Sequence, residues 1–90
     1  GLPKTDRALA VKLAEQAVAQ ASEPSPDRLD TLAAALAANG RFGEAVRTVE
    51  KAISLAEEVG ATQKAERFRQ RLALYKAGKP YVESVTSMDP

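Results

Sequence analysis

The sequence contains no cysteine and no histidine among its 90 residues. Without a thiol or an imidazole, the chain has no disulfide, no thiolate or imidazole metal ligand, and no Cys-His or Ser-His nucleophile pair. A glycine-rich phosphate loop and the spacing of a calcium-binding EF-hand loop are also missing from the sequence. The sequence therefore predicts a protein that is not an enzyme and that uses no cofactor or metal ion.

Large side chains are scarce. The chain has no tryptophan and four aromatic residues, Phe42, Phe68, Tyr75 and Tyr81, and alanine supplies much of its 44% apolar content. A chain of this length buries a modest fraction of its surface, which leaves little room for a deep ligand cavity beside the core. The composition predicts a thin core in which helix backbones pack close together.

Net charge is also low, with 13 basic and 12 acidic residues giving +1. This balance disfavours a dedicated nucleic-acid binder, which usually carries a strongly basic surface. No apolar run reaches the roughly 18 residues that cross a bilayer, so this segment is predicted not to insert into a membrane. The start Gly1-Leu2-Pro3-Lys4 lacks a secretion signal and a methionine, which suggests a piece of a longer protein and leaves cytoplasm and periplasm both open.

Glycine and proline divide the chain into stretches rich in helix-forming residues, and no alternating strand pattern competes with them. Ser25 followed by Pro26 is a typical helix start. Gly40, Gly60 and Gly78 stand where helices end, and Thr62 is a candidate cap for the last helix. The predicted fold class is all-α, with about four helices near residues 5–22, 26–39, 43–59 and 62–77.

The first predicted helix is apolar on two faces. Leu9, Leu13 and Ala17 share one side of it, and Ala10, Ala14 and Ala21 lie beside them at helical spacings. Such a helix is expected to be packed between two neighbours.

An internal repeat appears when the sequence is shifted by 35 residues, which aligns residues 10–18 with residues 45–53. Ala10/Ala45, Val11/Val46, Glu15/Glu50, Ala17/Ala52 and Ala21/Ala56 are then identical pairs. A helical period in the thirties is typical of solenoids built from helix pairs.

The stretch from Pro26 to Glu58 resembles the tetratricopeptide repeat (TPR). It reads Leu29-x-x-Leu32-Ala33-x-x-Leu36 in its first helix and Ala45-x-x-x-Val49 in its second. The resemblance implies antiparallel helix hairpins in a short right-handed superhelix over residues 1–80. Within it, residues 5–22 are a half repeat, 26–59 a full repeat and 62–77 a capping helix, as at the C-terminal end of bacterial TPR arrays. The segment 81–90 is predicted to be a flexible tail.

The resemblance also implies where a peptide partner binds, on the inner face of the opening helix. That face carries Asp27, Asp30, Ala34, Ala37 and Ala38, which predicts a shallow groove with an acidic rim; packing of the alanines against the next helix is the alternative. On the last helix, Lys64, Arg67 and Arg71 form a basic face that is suited to an acidic partner, or to plain solvation. Phe68, Leu72 and Tyr75 form an apolar stripe that is predicted to be core.

The functional hypothesis is a protein-interaction or scaffold module that binds a peptide or a neighbouring domain through its helix-hairpin surfaces. Two alternatives remain open at this point. The first is self-association: the chain has fewer than the three or so repeats that usually stabilise such arrays, so two copies could associate as a homo-oligomer. Regulation of an enzyme domain elsewhere in a longer parent chain is the other.

Overall fold

The structure, a computed structural model, describes residues 4–81, with side chains from residue 7 onward. It has four α-helices and no strand within this range: α1 (Lys4–Gln20), α2 (Pro26–Ala38), α3 (Phe42–Glu58) and α4 (Thr62–Lys76). The all-α prediction is confirmed, and the helices begin and end within two residues of the predicted bounds. No helix in the described range is long and apolar enough to cross a membrane.

Local chemistry explains where the helices begin. The side chain of Ser25 accepts a hydrogen bond from the backbone N–H of Arg28, and Pro26 fills the first turn of α2, where a missing N–H costs nothing. The prediction that Thr62 caps α4 is wrong. Ala61 occupies the cap position, and the Thr62 hydroxyl donates instead to the carbonyl oxygen of Gly60.

The last three helices end in the same way. Gly40, Gly60 and Gly78 each have a positive φ, between 74° and 79°, which favours glycine because a Cβ is strained there. After α2, the N–H of Gly40 donates to the carbonyl of Ala37 and that of Arg41 to Leu36. These are the paired bonds of a Schellman motif, and they turn the chain back toward α3 within a few residues.

The core runs along α3, which packs against α2 on one side and α4 on the other, while α1 packs against α2. Alanine allows these close approaches: Ala33, Ala45, Ala52, Ala56 and Ala65 are fully buried. Leu36, Val49, Phe68 and Tyr75 fill the remaining space. The predicted stripe on α4 is therefore core, with Leu72 packed at its edge.

Tyr81 belongs to this packed structure, which corrects the prediction that the flexible tail starts at residue 81. Its side chain is partly buried against the core. The remaining tail, residues 82–90, lies outside the described residues.

Candidate functional site

The predicted acidic rim on α2 and the predicted basic face on α4 pair with each other. Lys64 Nζ lies 2.8 Å from Asp27 Oδ2, and the guanidinium of Arg71 is hydrogen-bonded to the carboxylate of Asp30. Four of the eight predicted partner-binding residues are thus joined in two ion pairs between α2 and α4. These four charges are engaged within the chain, and their role in binding a partner stays a prediction.

The two ion pairs differ in burial. The Asp27 and Lys64 side chains are 65% and 37% exposed, whereas those of Asp30 and Arg71 are 16% and 17% exposed. An exposed pair is screened by water and contributes little, but a buried pair is costly to break because one charge is left without its partner. The Asp30–Arg71 pair is therefore the firm electrostatic link between α2 and α4.

Two aromatic rings lie beside the Arg71 side of the Asp30–Arg71 pair. The Arg71 guanidinium carbon lies 4.1 Å from the centre of the Tyr81 ring and 6.0 Å from that of Phe68. Burial alone lowers the pKa of Arg71, but the hydrogen bond and charge of Asp30 outweigh it, so the pKa lies above its ordinary value. Arg71 thus remains a cation held between an acid and a π-face.

Two buried polar atoms next to this pair lack a hydrogen-bond partner in the described structure, Oδ1 of Asp30 and the hydroxyl of Tyr75. Burial, and then the negative charge of Asp30, raise the pKa of Tyr75 to about 12. Asp30 lies on α2 and Tyr75 on α4, so both groups belong to the contact that the Asp30–Arg71 pair makes between these two helices.

The other predicted site residues have different surroundings. Ala37 is buried, Ala34 is partly buried and Ala38 is exposed, so the alanines do not form one continuous groove floor. Arg67 is exposed on α4. Ala37 is therefore packed in the core, whereas a peptide-binding role of Ala34 and Ala38 stays a prediction.

Two large apolar side chains are exposed together on α1. Leu9 and Leu13 are 52% and 56% exposed, and Ala10 beside them is exposed as well. Ala17, one turn further along, is partly buried. We refer to these four residues, Leu9, Ala10, Leu13 and Ala17, as the open face of α1.

The open face results from packing on one side only. Val11 and Ala14 are buried on the side of α1 that packs against α2. Among the described helices, α1 makes at most slight contact with α3 and α4. The sequence prediction that α1 is packed between two neighbours is therefore wrong within residues 4–81.

None of the four residues that define the open face is charged. The charged side chains described on α1 are Arg7, Lys12 and Glu15. At 3.6 residues per turn, each lies roughly 100° or more around the helix axis from the centre of the open face. A face that is both apolar and uncharged is suited to covering by another apolar helix rather than to binding an ion.

Away from the open face, the described residues form an apolar groove but no metal site. An open, apolar groove of about 380 Å³ lies between α2 and α3, lined by Pro24, Leu29, Leu55 and neighbouring atoms. No group of acidic side chains that is suited to a metal ion occurs in the part of the chain that the structure describes.

Comparison of the chain with protein-family models, with curated proteins and with solved structures finds no match.

Proposed function

We propose that this protein is an interaction module of the helix-hairpin type, and that it holds a partner protein at the open face of α1. The observation that carries the proposal is the exposure of Leu9 and Leu13, both more than half exposed on a well-formed helix. Exposed apolar side chains grouped on one face are typical of protein contact sites, whereas scattered single ones are ordinary. The TPR resemblance of Pro26 to Glu58 supports the same class of function.

The α2–α4 surface supports this choice by contrast. Asp27 is already paired with Lys64 and Asp30 with Arg71, so a charged peptide competes there with two existing ion pairs. On the open face of α1 the Leu9 and Leu13 side chains are more than half exposed. The Arg28 guanidinium reaches the end of this face, where it donates to the carbonyl oxygen of Ala17.

Photo-crosslinking tests the proposal. A photoreactive amino acid at position 13 should trap a partner in extract of the source cells, and the same group at the exposed position 63 should not. Leu9→Glu/Leu13→Glu should abolish specific capture, while Gln63→Glu/Ala73→Glu, which adds the same charge at exposed sites on α4, should keep it. Equal capture by the two double variants would show that the open face of α1 is not the binding surface.

A second candidate function is self-association through the same face. The absence of charge on the open face favours it, because two copies related by a two-fold axis place like residues near one another. One 17-residue helix is about 26 Å long, so a pair of such faces falls short of the roughly 1,000 Å² typical of stable interfaces. Such a dimer is weak, and sedimentation velocity from micromolar to millimolar protein tests it: a constant monomer excludes this candidate.

A further inference from the structure

The internal repeat gives α1 a counterpart within the same molecule. The 35-residue shift aligns α1 with α3 and pairs Ala10 with Ala45 and Ala17 with Ala52. Ala45 and Ala52 are fully buried, whereas Ala10 is exposed and Ala17 is only partly buried. Since these residues are identical, the difference arises from what surrounds the two helices.

The neighbours of α3 identify which helix has no counterpart beside α1 within residues 4–81. α3 packs against the helix before it, α2, and the helix after it, α4. α1 packs against the helix after it, which is α2. The position beside α1 that no described helix occupies therefore corresponds to the position of α2 beside α3.

The helix that fills that position for α3 has a defined chemistry. α2 carries Leu29, Leu32, Ala33 and Leu36 in the pattern Leu-x-x-Leu-Ala-x-x-Leu, with Ala33 fully buried. None of these four residues is charged, which matches the uncharged open face of α1. A charge placed between α2 and the helix it packs against loses its water without gaining a partner. A large side chain in place of Ala33 prevents the two helices from approaching closely.

We propose that the open face of α1 accepts an amphipathic helix of the α2 type from a partner protein, with a small residue flanked by leucines at the contact. This inference rests on the proposed function and names the chemistry of its partner. Among the described helices of a second copy, α2 is already packed against α3, and the exposed side of α4 carries Glu66, Arg67 and Arg69. Its α1 remains as an occupant, and this is the self-association that the sedimentation experiment above tests.

The probe is a synthetic peptide of residues 24–41 with blocked ends, titrated into the ¹⁵N-labelled full chain and followed by NMR. We expect saturable shifts confined to the amides of α1 and the residues that follow it. The peptide variant Ala33→Arg should bind at least about tenfold more weakly, whereas Thr31→Arg, which adds the same side chain at an exposed position of α2, should bind normally.

A matched pair of variants tests the receiving side. Ala8 and Ala10 are both exposed on α1, but only Ala10 aligns with a buried residue of α3; Ala8 aligns with the exposed Gly43. Ala10→Arg should abolish peptide binding and Ala8→Arg should preserve it. Shifts in α3 or α4, no shifts at all, or α1 shifts that depend on protein concentration alone would each overturn the inference.

Short isolated peptides have low helicity, so weak binding of the free peptide could reflect its folding alone. A chimera in which the helix is joined to the chain avoids this problem. The 35-residue shift aligns Arg7 with Phe42, so a copy of residues 24–41 is joined directly before Arg7. We expect the midpoint of thermal unfolding to rise, and the rise to be lost with Ala33→Arg in the added copy but kept with Thr31→Arg. No rise overturns the inference, and a rise without binding of the free peptide overturns its assignment to a partner protein.

The two proposals fail separately. Loss of partner capture in Leu9→Glu/Leu13→Glu together with no peptide binding would keep the proposed function and discard the α2-type partner. Peptide binding at α1 with partner capture unaffected by that variant would keep the helix-binding face and discard its role in holding the captured partner.

Discussion

The carboxylate of Asp30 on α2 is paired with the guanidinium of Arg71 on α4, and both side chains are more than four-fifths buried. This contact joins residues 41 positions apart in the sequence. It ties α4 to α2, two helices that each pack against α3.

Removing the charge of Asp30 should destabilise the fold. We expect Asp30→Asn to lower the free energy of unfolding by about 2 kcal/mol, because Arg71 is left buried without a counter-charge. Asp27→Asn is the matched control: it breaks the exposed pair with Lys64 and should cost less than about 1 kcal/mol. Urea unfolding followed by circular dichroism measures both values, and equal losses would contradict the assigned difference in burial.

Tyr81 should stabilise the same pair through its ring. We expect Tyr81→Ala to cost about 1 kcal/mol, since the ring centre lies 4.1 Å from the Arg71 guanidinium carbon. Tyr81→Phe keeps the ring and should retain most of that stability. A phenylalanine variant as unstable as the alanine variant would show that the hydroxyl, and not the ring, makes the contribution.

Alkaline pH should unfold the protein partly through Tyr75. Its pKa is raised from 10.0 to about 12, so the unfolded chain releases the phenolic proton first. The stability that this group contributes is complete below pH 10 and is lost as the pH rises from 10 to 12, by at most about 1.4 kcal/mol per pH unit.

The pH dependence of the urea midpoint, compared between the wild type and Tyr75→Phe, measures this contribution because the other titrating groups are common to both. Tyr75→Phe should also fold well at neutral pH, since the hydroxyl is buried without a hydrogen-bond partner in the described structure. Identical slopes above pH 10 would exclude Tyr75 as the source.

Two glycines near the same turn should respond oppositely to alanine. Gly40→Ala should cost about 1 kcal/mol, because its φ of +79° is strained for any residue with a Cβ. Gly43 lies within α3, where an added Cβ meets only Arg47, at 3.9 Å. Gly43→Ala should therefore raise the free energy of unfolding by about 0.5 to 1 kcal/mol. Thermal unfolding of the two variants checks the opposite signs.

Helix positions could be predicted because their signals are local. Ser25 with Pro26 starts α2 by hydrogen bonding within four residues, and Gly40 ends it through its own backbone conformation. The cap of α4 could not be predicted from local signals alone, because Ala61 and not Thr62 occupies the cap position. A hydroxyl near a helix start has several local acceptors, and the sequence does not tell which one it uses.

The ion pairs could not be predicted because they depend on how α4 lies against α2. Sequence spacing places Asp30 and Arg71 on faces of separate helices and carries no information on how those helices meet. Periodicity likewise showed that Leu9 and Leu13 share a face of α1, but a pattern within one helix does not establish that a neighbour covers it. The predicted half repeat over residues 5–22 is the sequence feature that bears on whether this face is covered.

The Schellman turns that end α2 and α3 also bear on how fast the chain folds. In each turn the closing hydrogen bond joins residues five apart, as from Arg41 to Leu36 and from Ala61 to Ala56. Only a short loop must close before α3 meets α2 or α4, so little chain entropy is lost ahead of the first packing contacts. Connections of this kind give a low contact order, and helical proteins with that property fold within microseconds to milliseconds.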